Sequence, residues 1–404
     1  MKILHITSLG YEAGGAESGI VLVDDVLRRK GHTVRVLASD LYPDKPHFNT
    51  DTFHACAGRS FLGKCICRVY NRSACRALRK VLAEFKPDVV QLHTTYEVSP
   101  AVLFLLREYP TILTAHGAED YTKGLLLWGF PPRFFKDPDA SPTRANLTVA
   151  GWLHYAYHHL VSVPVYRYAF RYVDRVLVVS RYMQDMLRRE GLAPVCIPNA
   201  TNLFTPAPLD PKSMTILYVG RLEKIKGVQY AIEALVRVRK DVPDARLIVA
   251  GTGTYVGDLR AHALRCGVAE QVDFVGHKNV DELYTLYKES AVVVVPSVWP
   301  EPFGKVGIEA MSVGRAVVAS DVGGIGEWLT GGATGYLVPP SDAEALAEKL
   351  VRILTDDMLR ERMSTTAVTC AQKFSIERYV ETLVAFYEEV CNMSVAGTRQ
   401  TPRV

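Results

Sequence analysis

Short apolar runs alternate with amphipathic stretches of helical period along almost the whole chain, and the alternation runs through twice. In the first half KILHITS, TVRVLAS, PDVVQLH, TILTAH, DRVLVVS and the short VCIPNA read as strands. Between them GAESGIVLVDDVLRRK, a region ending at Phe85, a stretch near 155–172 and RYMQDMLRRE read as helices. The segment 201–213, with Pro206, Pro208 and Pro211, reads as a linker. The pattern then restarts with TILYVGRL, ARLIVAG, VDFVG, AVVVVPS, RAVVAS and GYLVP, again separated by helices. Strand followed by helix, many times over, predicts parallel sheets covered on both faces. The fold class expected is α/β, with ligands at the carboxyl ends of the strands.

At 404 residues the chain is too long for one ordinary core, so two domains are expected. Hydrophobic residues at 48% and charged residues at 22% place it among soluble globular proteins. The opening KILHITS is too short and too quickly polar for a signal peptide, and no apolar run reaches membrane-spanning length. Among eight cysteines there is no C-x-x-C, and Cys65 and Cys67 stand too close to pair easily. Reduced thiols and a cytoplasmic location are the expectation. The net charge is +4, with 25 Lys and Arg against 18 Asp and Glu in residues 1–200, and 22 against 25 in the remainder. This balance calls for no nucleic-acid partner.

The stretch from Pro296 to Glu309, PSVWPEPFGKVGIE, carries the chemistry. It follows the apolar strand AVVVVPS and sets Glu301 and Glu309 eight residues apart. Pro302, Phe303 and Gly304 form a tight loop, and Lys305 opens a helix whose N-terminus suits an anion such as a phosphate. Glu301 at the mouth and Glu309 within the helix could each accept hydrogen bonds from hydroxyls of a ligand. A sugar, a diphosphate and a ribose in that order would match. A second feature follows strand TILYVG. Arg221 and Lys226-Gly227 put two cations at a strand's carboxyl end, which suits a diphosphate leaving group.

These motifs resemble those of the retaining GT-B glycosyltransferases, in particular glycosyltransferase family 4. The E-x7-E pair is similar to that family's donor motif, and Gly220, Arg221, Lys226 and Gly227 match its G-R…K-G signature. The resemblance implies two facing Rossmann-like domains with parallel sheets and an interdomain cleft. The expected division is 1–204 for an acceptor-binding domain and 205–374 for a nucleotide-sugar-binding domain. A helix at 375–392 would cross back to the first, and 393–404 would form a disordered tail. The activity implied is transfer of a sugar, with retention at the anomeric carbon, from a nucleoside-diphosphate sugar to a hydroxyl acceptor. Glu301 would contact the sugar and Glu309 the ribose, and Arg221 and Lys226 would stabilise the departing diphosphate. His116, at the end of strand TILTAH, is similar to the family's histidine that supports the reacting sugar, with Asp120 less secure. Gly14 and Gly15 correspond to the loop over the donor phosphate. Gly251, Gly253, His277 and Lys278 correspond to contacts with the base, and Phe303, Gly304 and Lys305 to the donor-side turn. The family's G-G-x-P-E stands here as Gly323-Gly324-Ile325-Gly326-Glu327, which should loosen that loop.

No cofactor and no metal are expected. The literal D-x-D at Asp137-Pro138-Asp139 lies in a proline-rich stretch with no strand before it. His93 also ends a strand and reads as structural. Lys64, Arg68, Arg72, Arg76 and Lys80 recur every four residues and predict a cationic helical stripe. With the apolar loop Leu125–Phe135 it would meet an anionic membrane surface or a lipid-diphosphate acceptor, placing the enzyme on the inner membrane face. The alternatives are a nucleotide-sugar epimerase of the same two-domain shape and a non-catalytic nucleotide-sugar-binding protein.

Overall fold

The computed structural model describes residues 1–12, 14–56, 61–94, 97–117, 136 and 144–395. Asp120, the loop Leu125–Phe135, Asp137-Pro138-Asp139 and the tail beyond 395 lie outside the described residues. The chain divides into two compact units, Met1–Pro198 with the chain from Tyr379 onward, and Asn199–Arg378.

The first unit holds β1 (Lys2–Leu9), β2 (Thr33–Ser39), β3 (Asp51–Phe53), β4 (Val89–Leu92), β5 (Thr111–Ala115), β6 (Arg175–Val178) and β7 (Val195–Cys196). Their spatial order is β3-β2-β1-β4-β5-β6-β7, every pair parallel. The second unit holds β8 (Thr215–Val219), β9 (Arg246–Ala250), β10 (Val272–Gly276), β11 (Val292–Val295), β12 (Ala316–Ser320) and β13 (Gly335–Val338). Their order is β10-β9-β8-β11-β12-β13, again parallel throughout. Strands buried on both faces must be apolar at every position. β11 is four consecutive valines, all buried, each contributing roughly 1.5 kcal/mol on burial. Around it Leu235 and Val238 from helix Val228–Asp241 and Leu350 and Leu354 from helix Ala343–Thr355 complete one core.

In both sheets the strand order reverses once, between β1 and β4 and between β8 and β11. In open parallel sheets, ligands bind outside the carboxyl ends of the strands at such a point. Sequence reading placed most of these elements. It missed β3, only three residues long, and helix Asp357–Ala371, whose apolar residues do not gather on one face.

Three expectations change. The cationic stretch is two helices, Phe61–Val69 and Arg72–Phe85, with a break at Tyr70-Asn71. Asn71 is a strong N-cap residue. It is buried, and its side chain accepts from the N–H groups of Ser73 and Ala74. A single continuous stripe therefore does not form, although Arg68, Arg72, Arg76, Arg79 and Lys80 are all exposed. Second, the cysteines are not all thiols, because Cys56 and Cys67 are joined by a disulfide. Third, the proline-rich segment is packed rather than a loose linker. The buried Arg315 guanidinium donates to the carbonyls of Ala207 and Pro208, and to those of Tyr287, Lys288 and Val313. Arg360, also buried, donates to Pro211 and Ser213. Burial pulls the Arg315 pKa down to about 10, which leaves it charged at neutral pH. Among the described residues no helix is long and apolar enough to cross a membrane.

Arg315→Met is expected to lower unfolding stability by about 3 kcal/mol, because five carbonyls, those of Tyr287 and Val313 in buried residues, lose a charged donor together. Urea denaturation of the full chain measures this. A loss below about 1 kcal/mol would mean that water replaces the guanidinium and that the clamp is not energetic.

Candidate active site

The reversal point between β8 and β11 is occupied by the two groups singled out from sequence. After β8 the chain turns through the short helix Lys224–Lys226. After β11 it runs through Pro296–Glu301. The Ile225 carbonyl accepts the N–H groups of Val298 (2.9 Å) and Trp299 (3.2 Å), so the two loops are joined along their backbones. Gly227 follows with φ +72°, and a Cβ there would lie 1.8 Å from the Pro296 carbonyl oxygen. This junction brings Lys226 Nζ to 2.6 Å from Glu301 Oε1. The Ser297 hydroxyl donates to the same oxygen, also at 2.6 Å. The pair is mostly buried, with 17% of the lysine and 11% of the glutamate side chain exposed. Oε1 is thus doubly held, and Oε2 is the oxygen outside these bonds.

Glu309 lies in helix Lys305–Ser312, which starts at Gly304 with a left-handed backbone and no side-chain cap. Both of its oxygens are held, Oε1 by the Thr201 hydroxyl (3.1 Å) and Oε2 by the Tyr287 phenol (3.1 Å). Burial and the Glu309 charge keep the Tyr287 phenol protonated by raising its pKa well above the ordinary value. Thr201 and Tyr287 carried no signal in the sequence, being 108 and 22 residues away from their partner.

Arg221 is not drawn into this cluster. Its side chain is 60% exposed and pairs with Glu223 at 2.8 Å. Its carbonyl is fixed by the Tyr218 phenol at 2.8 Å, a group held neutral by burial and by the charges of Glu301 and Glu223. Phe303 is buried against Phe374 with ring centroids 5.6 Å apart, so its part in a site is to shape the turn. The Phe303 carbonyl accepts the Trp328 indole N–H at 2.6 Å. The glycine-rich loop is also tied down, since the Gly324 N–H donates to the Glu301 carbonyl at 2.8 Å. The expected loosening from proline to glycine is therefore countered by these two bonds.

Gly220, Gly251 and Gly253 close the ends of β8 and β9, with the Gly220 N–H on the Ala250 carbonyl and the Gly251 N–H on the Gly276 carbonyl. His277 follows β10 and is exposed. Lys278 pairs with Glu282 at 2.8 Å, in the capping box that starts helix Val280–Glu289. All of these residues, with Lys226 and Glu301, sit at the carboxyl ends of β8 to β11. In the first unit, Gly14 is the N-cap of helix Gly15–Arg29. His116 directly follows β5, half-buried, with Nε2 2.9 Å from Nδ1 of His93. Among the described residues no three His, Cys, Asp or Glu side chains are grouped to hold a metal ion.

Residues 13–203 match the family described as Glycosyltransferase Family 4, and residues 200–369 the family described as glycosyl transferases group 1. The chain is 28% identical over 407 residues to the phosphatidyl-myo-inositol mannosyltransferase of Mycobacterium tuberculosis, covering 96% of this chain and 97% of that protein. Sucrose-phosphate synthase from Thermosynechococcus elongatus superposes with a TM-score of 0.74 at 23% identity, over 96% and 98% of the two chains. HepE of Anabaena, solved with UDP-glucose, gives 0.69 at 20% identity, over 96% and 100%. The fold is the two-domain α/β fold of the GT-B class. The chain belongs to the family 4 GT-B glycosyltransferases.

Gly323 has φ +59°, and a Cβ on it would fall 2.0 Å from the Glu301 carbonyl oxygen. Gly323→Ala should displace Glu301 and lower glycosyl transfer at least tenfold, roughly 1.4 kcal/mol in the barrier. Gly331→Ala, where the added carbon meets nothing within 4 Å, should leave it within twofold. Equal rates for the two variants would detach Gly323 from the site.

Proposed function

We propose that this protein is a retaining, metal-independent glycosyltransferase that moves a sugar from a nucleoside-diphosphate sugar to a hydroxyl acceptor. The observation that carries the reading is the Lys226–Glu301 contact at the β8/β11 reversal point. Lysine has three N–H donors and needs one for Glu301, which leaves two for a phosphate. Glu301 keeps Oε2 for hydroxyls of the sugar. A cation for the diphosphate and an acceptor for the sugar thus stand side by side at one strand end.

In the reaction the bond from the anomeric carbon to the distal phosphate breaks, and the nucleoside diphosphate leaves with the electron pair. The acceptor oxygen bonds to the same carbon on the same face, and its proton passes to the departing phosphate oxygen. Negative charge grows on the diphosphate as the bond stretches. Lys226, the first-turn N–H groups of helix Lys305–Ser312 and Arg221, once it exchanges Glu223 for phosphate, oppose that charge. Glu309, oriented by Thr201 and Tyr287, accepts from the ribose hydroxyls. Gly251, Gly253, His277 and Lys278 receive the base. In the first unit, Gly14 and Gly15 meet donor phosphate, His116 supports the reacting sugar, and the acceptor binds.

Release of nucleoside diphosphate across a panel of nucleotide sugars, with and without candidate acceptors, tests the activity. Product with the donor's anomeric configuration is expected. Epimerised donor, or binding without turnover, would replace the reading. Lys226→Ala should lower kcat on the order of 10²-fold. Glu301→Gln should mainly lower kcat, and Glu309→Ala mainly raise the donor KM, because only the first touches the reacting sugar. The same kinetic pattern in both glutamate variants would overturn their roles. Activity is expected to survive EDTA, and complete loss restored by Mn²⁺ or Mg²⁺ would overturn metal independence.

A further inference from the structure

His116 is the visible end of a buried polar assembly in the first unit. Behind it stands His93, the residue after β4, at the β1/β4 reversal point. The two rings are stacked at 5.2 Å with 22° between planes, and Nδ1 of His93 lies 2.9 Å from Nε2 of His116. Behind His93 stands His5 on β1, edge to face at 5.0 Å. Asp24, from helix Gly15–Arg29, places Oδ1 2.8 Å from Nδ1 of His5. The Tyr387 phenol approaches Nε2 of His5 at 3.4 Å and donates to the Gln91 amide oxygen. The Gln91 amide nitrogen donates in turn to the Thr114 hydroxyl at 2.6 Å. His5, Asp24, Gln91 and His93 are all buried. Three ionisable side chains aligned behind one half-exposed histidine are a costly thing to place in a core unless they do something there.

The proton on His93 can be located from its surroundings. Nε2 of His93 is buried with no hydrogen-bond partner. A neutral ring protonated at Nε2 would orphan an N–H, whereas protonation at Nδ1 donates to His116 and leaves only a lone pair unmatched, the cheaper outcome. Burial, together with His5 and His116, holds the His93 pKa well below the ordinary histidine value, so the ring is neutral. His116 then accepts at Nε2 and carries its own proton on Nδ1. His5 from β1 faces His93, and behind His5 stand Asp24 from helix Gly15–Arg29 and Tyr387 from helix Ile376–Val395. The last is kept a neutral phenol by burial.

We propose that His93, packed edge to face against His5, is a positioning residue that fixes the ring plane of His116 and holds it as the Nδ1–H tautomer. This rests on the role of His116 proposed above. His93→Phe keeps the ring contacts to His5 and His116 and removes the donor. His93→Asn keeps a donor where Nδ1 stood. With the full-length protein, His93→Phe is expected to lower kcat about tenfold with the donor KM within twofold, and His93→Asn to recover most of the loss. In a His116→Ala background, His93→Phe should cost nothing more. Imidazole ¹⁵N spectra of the histidine-labelled protein, with His116 assigned by its loss in His116→Ala, should change for His116 in His93→Phe and return in His93→Asn. Wild-type spectra with the proton on Nε2 of His116, or His116 signals indifferent to His93→Phe, would overturn the positioning role of His93. Normal turnover in His116→Ala would overturn the catalytic role of His116 instead, while the spectra would still decide whether His93 sets its tautomer.

Discussion

One contact organises the second unit: the ammonium of Lys226 against the carboxylate of Glu301, with the Ser297 hydroxyl on the same oxygen. Two charges taken this far out of water cost several kcal/mol each before their attraction is counted. The structure offsets that cost by building the loops on each other. Ile225 accepts two N–H groups from the Pro296–Glu301 loop, and Gly324 donates back to Glu301. A pair held so firmly cannot wander, and a polar site that does not reorganise when charge develops is what stabilises a leaving group well.

The same economy governs the residues around it. Glu309 has both oxygens held by hydroxyl groups, so the carboxylate is aimed without a competing cation. Arg221 has the opposite character. It is exposed and paired with a neighbour two residues on, a surface ion pair of small worth that a phosphate can displace at little cost. In the proposed reaction a fixed lysine and a displaceable arginine would divide the work of meeting a diphosphate. The clamp of Arg315 and Arg360 on the 207–213 carbonyls matters here too. The chain that delivers Thr201 to Glu309 continues into that clamp, and it leaves the clamp at the start of β8.

In the first unit the polar assembly behind His116 joins β1, β4 and β5 to helix Gly15–Arg29 and to helix Ile376–Val395. The helix that carries Asp24 into the core begins at Gly15, directly after Gly14.

The sequence by itself determined the α/β class, the two cycles of strand and helix, and the motif residues at the strand ends. Periodicity and turn chemistry are local, and E-x7-E is contained in one strand–loop–helix unit. It could not show that Lys226 and Glu301 touch, because 75 residues separate them and only the adjacency of β8 and β11 brings their loops together. It gave no hint of Thr201 and Tyr287 on Glu309, of His5 and Asp24 behind His93, or of the Cys56–Cys67 bridge. The helix break at Asn71 was hidden by a charge period that ran straight through it, since charge spacing reports a helical face and a cap is decided by which carbonyls and N–H groups lie nearby. Local patterning fixes which elements form. Which side chains meet is settled by strand order, and strand order is a property of the packed sheet.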